Sequence, residues 1–141
     1  MRWLAFDVGS RRVGVAVCDA QERLATPLAA VPYTGPERLA DTAAELVRDW
    51  AAEGVVVGMP VTRGGQGRGE LRVASVIAAL ERRLEVPIET VDETGTTKAA
   101  EALLTEAGVP SRRWHDLVDS LAARLILETH LASRRPQTRS R

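Results

Sequence analysis

From Trp3 to Asp19 the chain reads WLAFDVGSRRVGVAVCD, and this stretch limits the fold more than any other. Leu4, Phe6 and Val8 alternate with Trp3, Ala5 and Asp7; after the polar break Gly9-Ser10-Arg11-Arg12, Val13, Val15 and Val17 resume a period of two. That pattern predicts two strands joined by a tight turn. Asp7 is out of place in it. Asp is depleted in strands, and an ionised carboxylate at the end of an apolar strand is costly unless something pairs with it. A metal ion would serve, and so would the turn amides that Asp often accepts from near Gly and Ser.

Further along, Leu28 to Val31 predicts a short third strand edged by Pro27 and Pro32, as suits a sheet edge. Leu39, Ala43, Leu46, Val47 and Trp50 fall at helical spacing within Glu37 to Ala52, with Gly54 as the stop. Val55-Val56-Val57, leading into Gly58-Met59-Pro60, is an unbroken apolar run and predicts a central parallel strand covered on both faces. Residues 62 to 69, TRGGQGRG, form a glycine-rich loop that lacks the Lys-Ser/Thr ending of a Walker A loop and is expected to meet phosphate backbone or to serve as a connector.

A second helix carries Val73, Ile77, Leu80 and Leu84, and a strand over Ile88 to Val91 ends in Asp92-Glu93. A third helix starts near Gly95-Thr96-Thr97 and stops at Gly108. The last runs from Ser111, as its N-cap, to Ser133, with Val118, Leu121, Ala122, Leu125 and Ile126 as its apolar stripe. The order β-β-β-α-β-α-β-α-α predicts an α/β fold with a five-stranded mixed sheet: three antiparallel meander strands plus parallel strands, flanked by helices on both faces. Length fits one domain over 1–133, followed by a basic tail, 134–141, expected to be disordered.

Charge balances, with 19 Lys and Arg against 19 Asp and Glu, so net charge does not announce a nucleic-acid partner. Distribution says more. Lys98 is the single lysine, and arginines gather as Arg11 and Arg12; Arg63, Arg68 and Arg72; Arg82 and Arg83; Arg112 and Arg113; and in the tail. Guanidinium forks suit bidentate phosphate contacts; any one pair reads better as solvated surface, while the loop and tail clusters together favour phosphate. Arg11, Arg12, Arg63, Arg68, Lys98, Arg112 and Arg113 are the expected nucleic-acid contacts. The lone Cys18 reads as a reduced structural thiol, and the absence of a leader or a long apolar run sets the expectation of a cytoplasmic protein with no membrane contact.

Three acidic places come from distant parts of the chain: Asp7 after the first strand, Asp92-Glu93 after the last, and Asp119 with Asp116 in the final helix. Ligands in such sheets bind beyond the carboxyl ends of the parallel strands, where these acids would meet. Asp92-Glu93 could instead cap the third helix, and Asp116 and Asp119 could instead favour a helix N-terminus. Gathered, the carboxylates repel one another unless a cation sits among them, and oxygen-only ligands select Mg²⁺ or Mn²⁺ over Zn²⁺. Two such ions can drive phosphodiester hydrolysis.

DVGSRRVGVAVCD at 7–19, VVVGMPVTRGGQG at 55–67, VDETGTTKAAEALL at 91–104 and VDSLAARLILETHL at 118–131 resemble, in order, the four motifs of the YqgF/RuvX family. The resemblance implies a ribonuclease H-like fold and an endonuclease acting on structured nucleic acid, with Holliday junction resolution and maturation of the 5' end of pre-16S ribosomal RNA as the attributed roles. It implies Asp7, the Asp92-Glu93 pair and Asp119 as catalytic metal ligands, with Asp116 as an extra one. Partners would be structured RNA or branched DNA, with ribosomal precursor particles beyond them, and the protein a monomer or a homodimer. Thr94 departs from the pattern, since the family usually has arginine there. A non-cleaving nucleic-acid or ribosome-associated binding module of the same fold is the alternative, and a sugar-kinase-like or ATPase domain a more distant one.

Overall fold

In the computed structural model the structure describes residues 1–60, 67–93 and 95–134, with only the backbone of residues 115 and 116. Arg63, Thr94, the tail from 135 and the side chain of Asp116 therefore lie outside the described residues. The strands are β1 (Trp3–Val8), β2 (Arg12–Cys18), β3 (Ala25–Pro32), β4 (Gly54–Met59) and β5 (Ile88–Asp92). The helices are α1 (Pro36–Trp50), α2 (Arg68–Arg83), α3 (Thr96–Glu106) and α4 (Trp114–Arg134).

The strands form one five-stranded sheet in the order β3-β2-β1-β4-β5. β1 is antiparallel to β2 and β2 to β3, while β4 runs parallel to both β1 and β5. The expected mixed sheet is therefore what the chain forms, with β1 and β4 inside it.

Side-chain size divides the two faces. Leu4, Phe6, Val8, Val13, Val15, Val17, Val55 and Val57 fill one, packing against Leu39 and Ala43 of α1 and Val73, Val76 and Leu80 of α2. Each such large side chain, fully buried, stabilises the fold by roughly 1.5–3 kcal/mol. The opposite face, beneath α4, carries Ala5, Ala16, Val56 and Cys18, with Trp3 at one end. Gly14, Gly54 and Gly58 alternate into that same face. Small residues there let α4 lie close to the sheet. A Cβ on Gly14 would fall on the backbone carbonyl of Asp119, 2.5 Å from its carbon, and one on Gly58 would reach within 3.0 Å of Glu93 Oε2 and 3.2 Å of Ile126 Cγ1.

Four expectations need correction. α1 ends at Trp50 with Ala51 in the left-handed region (φ 51°), so Gly54 is not its stop. Gly54 opens β4, where the Trp3 ring covers it and leaves no room for a Cβ. β3 extends back to Ala25 through Pro27, which pairs with Ala16; as an edge strand it loses no ladder bond to the missing N–H. Ser111 begins a 3-10 turn, Ser111–Arg113, instead of capping a helix.

The stripe of α4 is also rotated. Its fully buried residues are Ala122, Ala123, Ile126, Leu127, His130 and Leu131, whereas Val118, Leu121 and Leu125 are only half-buried. α4 packs on the sheet with one side and on α3 with another, so no single stripe describes it. Its far end is held by an Arg134–Glu22 ion pair at 3.0 Å, with the guanidinium 4.8 Å from the Trp3 ring centroid. That pairing pulls the Glu22 carboxyl down to about 2.

Candidate active site

Strand parity decides which acids meet. Trp3 and Ala5 face α4, so Asp7, two further along β1, does too. Asp7 lies opposite Gly14 in the β1–β2 register, at the carboxyl end of a strand flanked by its parallel neighbour β4. In β5, Val91 packs beneath α4, which puts Glu93 on that face and Asp92 on the other. The backbone fixes Glu93 further, its N–H donating to the Met59 carbonyl at 3.1 Å. Asp92 is exposed and Glu93 half-buried.

Asp7, Glu93 and Asp119 line one cleft of about 510 Å³, together with Val8, Gly9, Pro60, Gly69, Arg72, Gly95 and Thr97. The Asp7 and Glu93 side chains are hydrogen-bonded, which requires that one of them carries a proton. Burial, then the bond to Asp7 and its charge, pushes Glu93 up to about 9. Burial also raises Asp7, against the lowering effect of the bond from Glu93, and the Asp119 charge raises it further. At neutral pH the pair therefore holds Glu93 protonated and donating to the Asp7 carboxylate.

Asp119 is turned to a different partner. Arg12 Nε donates to Asp119 Oδ2 at 2.6 Å, so the third carboxylate is already neutralised by a cation of the chain. Among the described residues no group of three His, Cys, Asp or Glu side chains is drawn together closely enough to hold an ion. The donor set still suits a hard divalent cation: two half-buried carboxylates share a proton where a cation would offset both charges, and a third borders the same space.

Of the expected contacts to nucleic acid, Arg12 is thus occupied by Asp119. Arg11, Arg68, Lys98, Arg112 and Arg113 are exposed and do not line the cleft. Arg72, which follows the glycine-rich loop and is not among those expected contacts, does line it. Its place in α2, directly after Glu70-Leu71, gives no sequence signal that it shares a cleft with the acids. A hollow of similar size, about 520 Å³, lies between β3 and α1 and gathers Arg38, Asp41 and Thr42 without any cluster of carboxylates.

The Arg12 pairing carries a testable consequence. Arg12→Gln leaves Asp119 uncompensated beside Asp7, so the protein without divalent cation should lose about 1 kcal/mol of stability, a modest figure because the pair is partly exposed. Urea unfolding in chelator measures it. Added Mg²⁺ should shrink the difference; equal midpoints for both proteins in chelator would mean that Arg12 contributes nothing to holding Asp119.

Comparison with known proteins follows the same outline. A family model described as "RuvX: Holliday junction resolvase" matches residues 1–133. A Chloroflexus aggregans protein is 39% identical over 133 residues, 94% of each chain, and one from Desulforudis audaxviator is 40% identical over 136 residues, 96% of each; both bear the name "Putative pre-16S rRNA nuclease". Thermus thermophilus RuvC, solved with a Holliday junction substrate, superposes with a TM-score of 0.62 at 19% identity, covering 95% of both chains. The Fowlpox virus resolvase, solved with junction DNA, gives 0.56 at 9% identity, covering 94% of this chain and 98% of that one. At those identities the two structures establish the fold, which is ribonuclease H-like.

Proposed function

This chain belongs to the RuvX family, and we propose on that premise that it is a metal-dependent endonuclease whose cleft hydrolyses phosphodiester bonds in structured nucleic acid. The observation that carries the reading is that Asp7 and Glu93, at the ends of β1 and β5, and Asp119 of α4 line one cleft. Half-buried carboxylates in contact are costly for a fold, and a site that takes up divalent cations gives them a purpose. Asp7 and Glu93 would hold Mg²⁺ or Mn²⁺, with Asp119 completing the set; Asp92, on the other face, would not. When bound, two such ions supply an activated water and stabilise the leaving oxygen.

The chain's own residues do the rest. Asp7 and Glu93 share a proton that the pair would release on taking up a cation, and Arg12 pairs with Asp119 at 2.6 Å. The water oxygen forms its bond to phosphorus as the ester P–O bond breaks; the water gives its proton to solvent, and the departing oxygen takes one from solvent. Exposed Arg68, Arg112 and Arg113 are available to the flanking backbone. Pre-16S ribosomal RNA and four-way DNA junctions are the two substrates that the relatives' names bring forward.

A second reading has one observation in its favour: the Arg12–Asp119 ion pair closes off the third carboxylate, as suits a binding module that no longer cleaves. Cleavage of labelled four-way junctions and of an RNA spanning the pre-16S 5' junction, in Mg²⁺, in Mn²⁺ and in chelator, separates the two. Cutting that needs the metal is expected, and the better substrate identifies the role. Binding of either substrate with no cutting under any metal would leave the binding module standing.

A further inference from the structure

We propose that Arg72, on the second turn of α2, grips a backbone phosphate of the substrate in the cleft whose lining it shares with the acids. This rests on the nuclease reading above and adds to it the contact that brings an anion into an acidic cleft.

The difficulty is electrostatic. A phosphodiester must come next to Asp7, Glu93 and Asp119, and the carboxylates repel it unless a cation on the protein attracts it. Two arginines are near. Arg12, at the start of β2, is held by Asp119 at 2.6 Å and does not line the cleft. Arg72 is the basic residue among those lining the cleft, and among the described residues it makes no ion pair or side-chain hydrogen bond. A half-buried arginine without a carboxylate partner, sharing a cleft with three carboxyl groups, has its donors still to satisfy.

Its setting favours an anion. α2 starts at Arg68 after Gly67, with no side-chain cap, and Gly69 lines the same cleft as Arg72. The first-turn amides of α2 and the helix dipole therefore add positive potential at that wall. Glycine at 67 and 69 lets a phosphate approach the backbone closely. The guanidinium then makes the bidentate contact, for which lysine would be only a point charge.

The test is the salt dependence of binding, which counts phosphate contacts independently of cleavage. In an Asp7→Asn background, with Mg²⁺ present, the affinity of a labelled four-way junction and of a pre-16S 5' RNA hairpin is measured by fluorescence anisotropy over a range of salt. Adding Arg72→Gln should weaken binding about tenfold and lower the slope of log affinity against log salt by about one contact's worth. Arg72→Lys should keep the slope and lose part of the affinity. Circular dichroism and melting confirm that each variant is folded, and if Arg72→Gln is unstable, Arg72→Lys and Arg72→His carry the comparison.

An unchanged slope in Arg72→Gln, with wild-type binding intact, overturns the proposal: Arg72 would then only offset the cleft carboxylates, and its loss would move stability in chelator instead. Absence of binding and of cleavage in the wild type, for both probes, defeats the nuclease reading itself, and the proposal with it.

Discussion

Glu93→Gln is expected to abolish cleavage and, in the absence of divalent cations, to make the protein more stable at alkaline pH. Both effects come from one carboxyl. Glutamine keeps a neutral donor toward Asp7 and about the same volume, but it cannot supply a charged oxygen to a cation. Loss of a ligand that acts on the transition state is expected to cost several kcal/mol, so cleavage should fall at least about a thousandfold. Asp7→Asn should lose cleavage to a similar extent.

The stability effect follows from the raised carboxyl. Glu93 is pushed up to about 9 in the folded chain against an ordinary glutamate value of 4.5, so between those limits the folded state binds the extra proton. Stability is therefore fully present below about pH 4.5 and is lost as pH rises toward 9. Without metal, the wild type should weaken across this window. Because Glu93 is partly exposed and its partner Asp7 also titrates upward, solvent screening and sharing of the proton leave about 2 kcal/mol of the loss. Glu93→Gln removes that slope, and melts in chelator at pH 5, 7 and 9 read it directly. Mg²⁺ should stabilise the wild type at pH 9 and leave Glu93→Gln nearly unmoved. A wild-type melting temperature that stays level from pH 5 to 9 in chelator would contradict the shared proton.

Much of this site was legible in the sequence, and the illegible part has a common cause. Asp7 stood out because a carboxylate has no place at the end of an alternating apolar strand. The choice between Asp92 and Glu93 did not, because adjacent residues at the end of a strand differ only in face, and face depends on where α4 lies. Asp119 was found through its motif, but the Arg12 that pairs with it sits 107 residues away and had been read as a phosphate contact. Local pattern carries secondary structure; it does not say which of two chemically equivalent partners a cation will meet. The α4 stripe failed for the same reason. Val118, Leu121 and Leu125 are as apolar as Ala123 and Leu127, and the difference between half-buried and buried is set by α3 and the sheet competing for the helix. Arg72 belongs to the loop's arginine cluster, and nothing in the local pattern says which member of that cluster shares a cleft with the acids.

Gly14→Ala tests whether packing, and not the acids alone, makes the site. Gly14 pairs with Asp7 across β1 and β2 and at the same time lies under the Asp119 carbonyl, so one missing Cβ sets the distance between the first and third acids. A methyl there meets backbone, which cannot rotate aside as a side chain would. The helix must lift, and α4 contributes Ala123, Ile126, Leu127 and Leu131 to the core beneath it. Overpacking of this kind is expected to cost about 3 kcal/mol, at the upper end of the usual range because the obstacle is a helix backbone. Displacing Asp119 by about 1 Å should then lower the cleavage rate roughly a hundredfold in protein that is still folded. Urea unfolding gives the first figure, and cleavage assayed well below the melting temperature gives the second. Loss of stability with full activity would mean that α4 tilts about its far end, where Arg134 is tied to Glu22, without moving Asp119. A variant as stable and as active as the wild type would show that the close approach of α4 to β2 does not set the geometry of the acids.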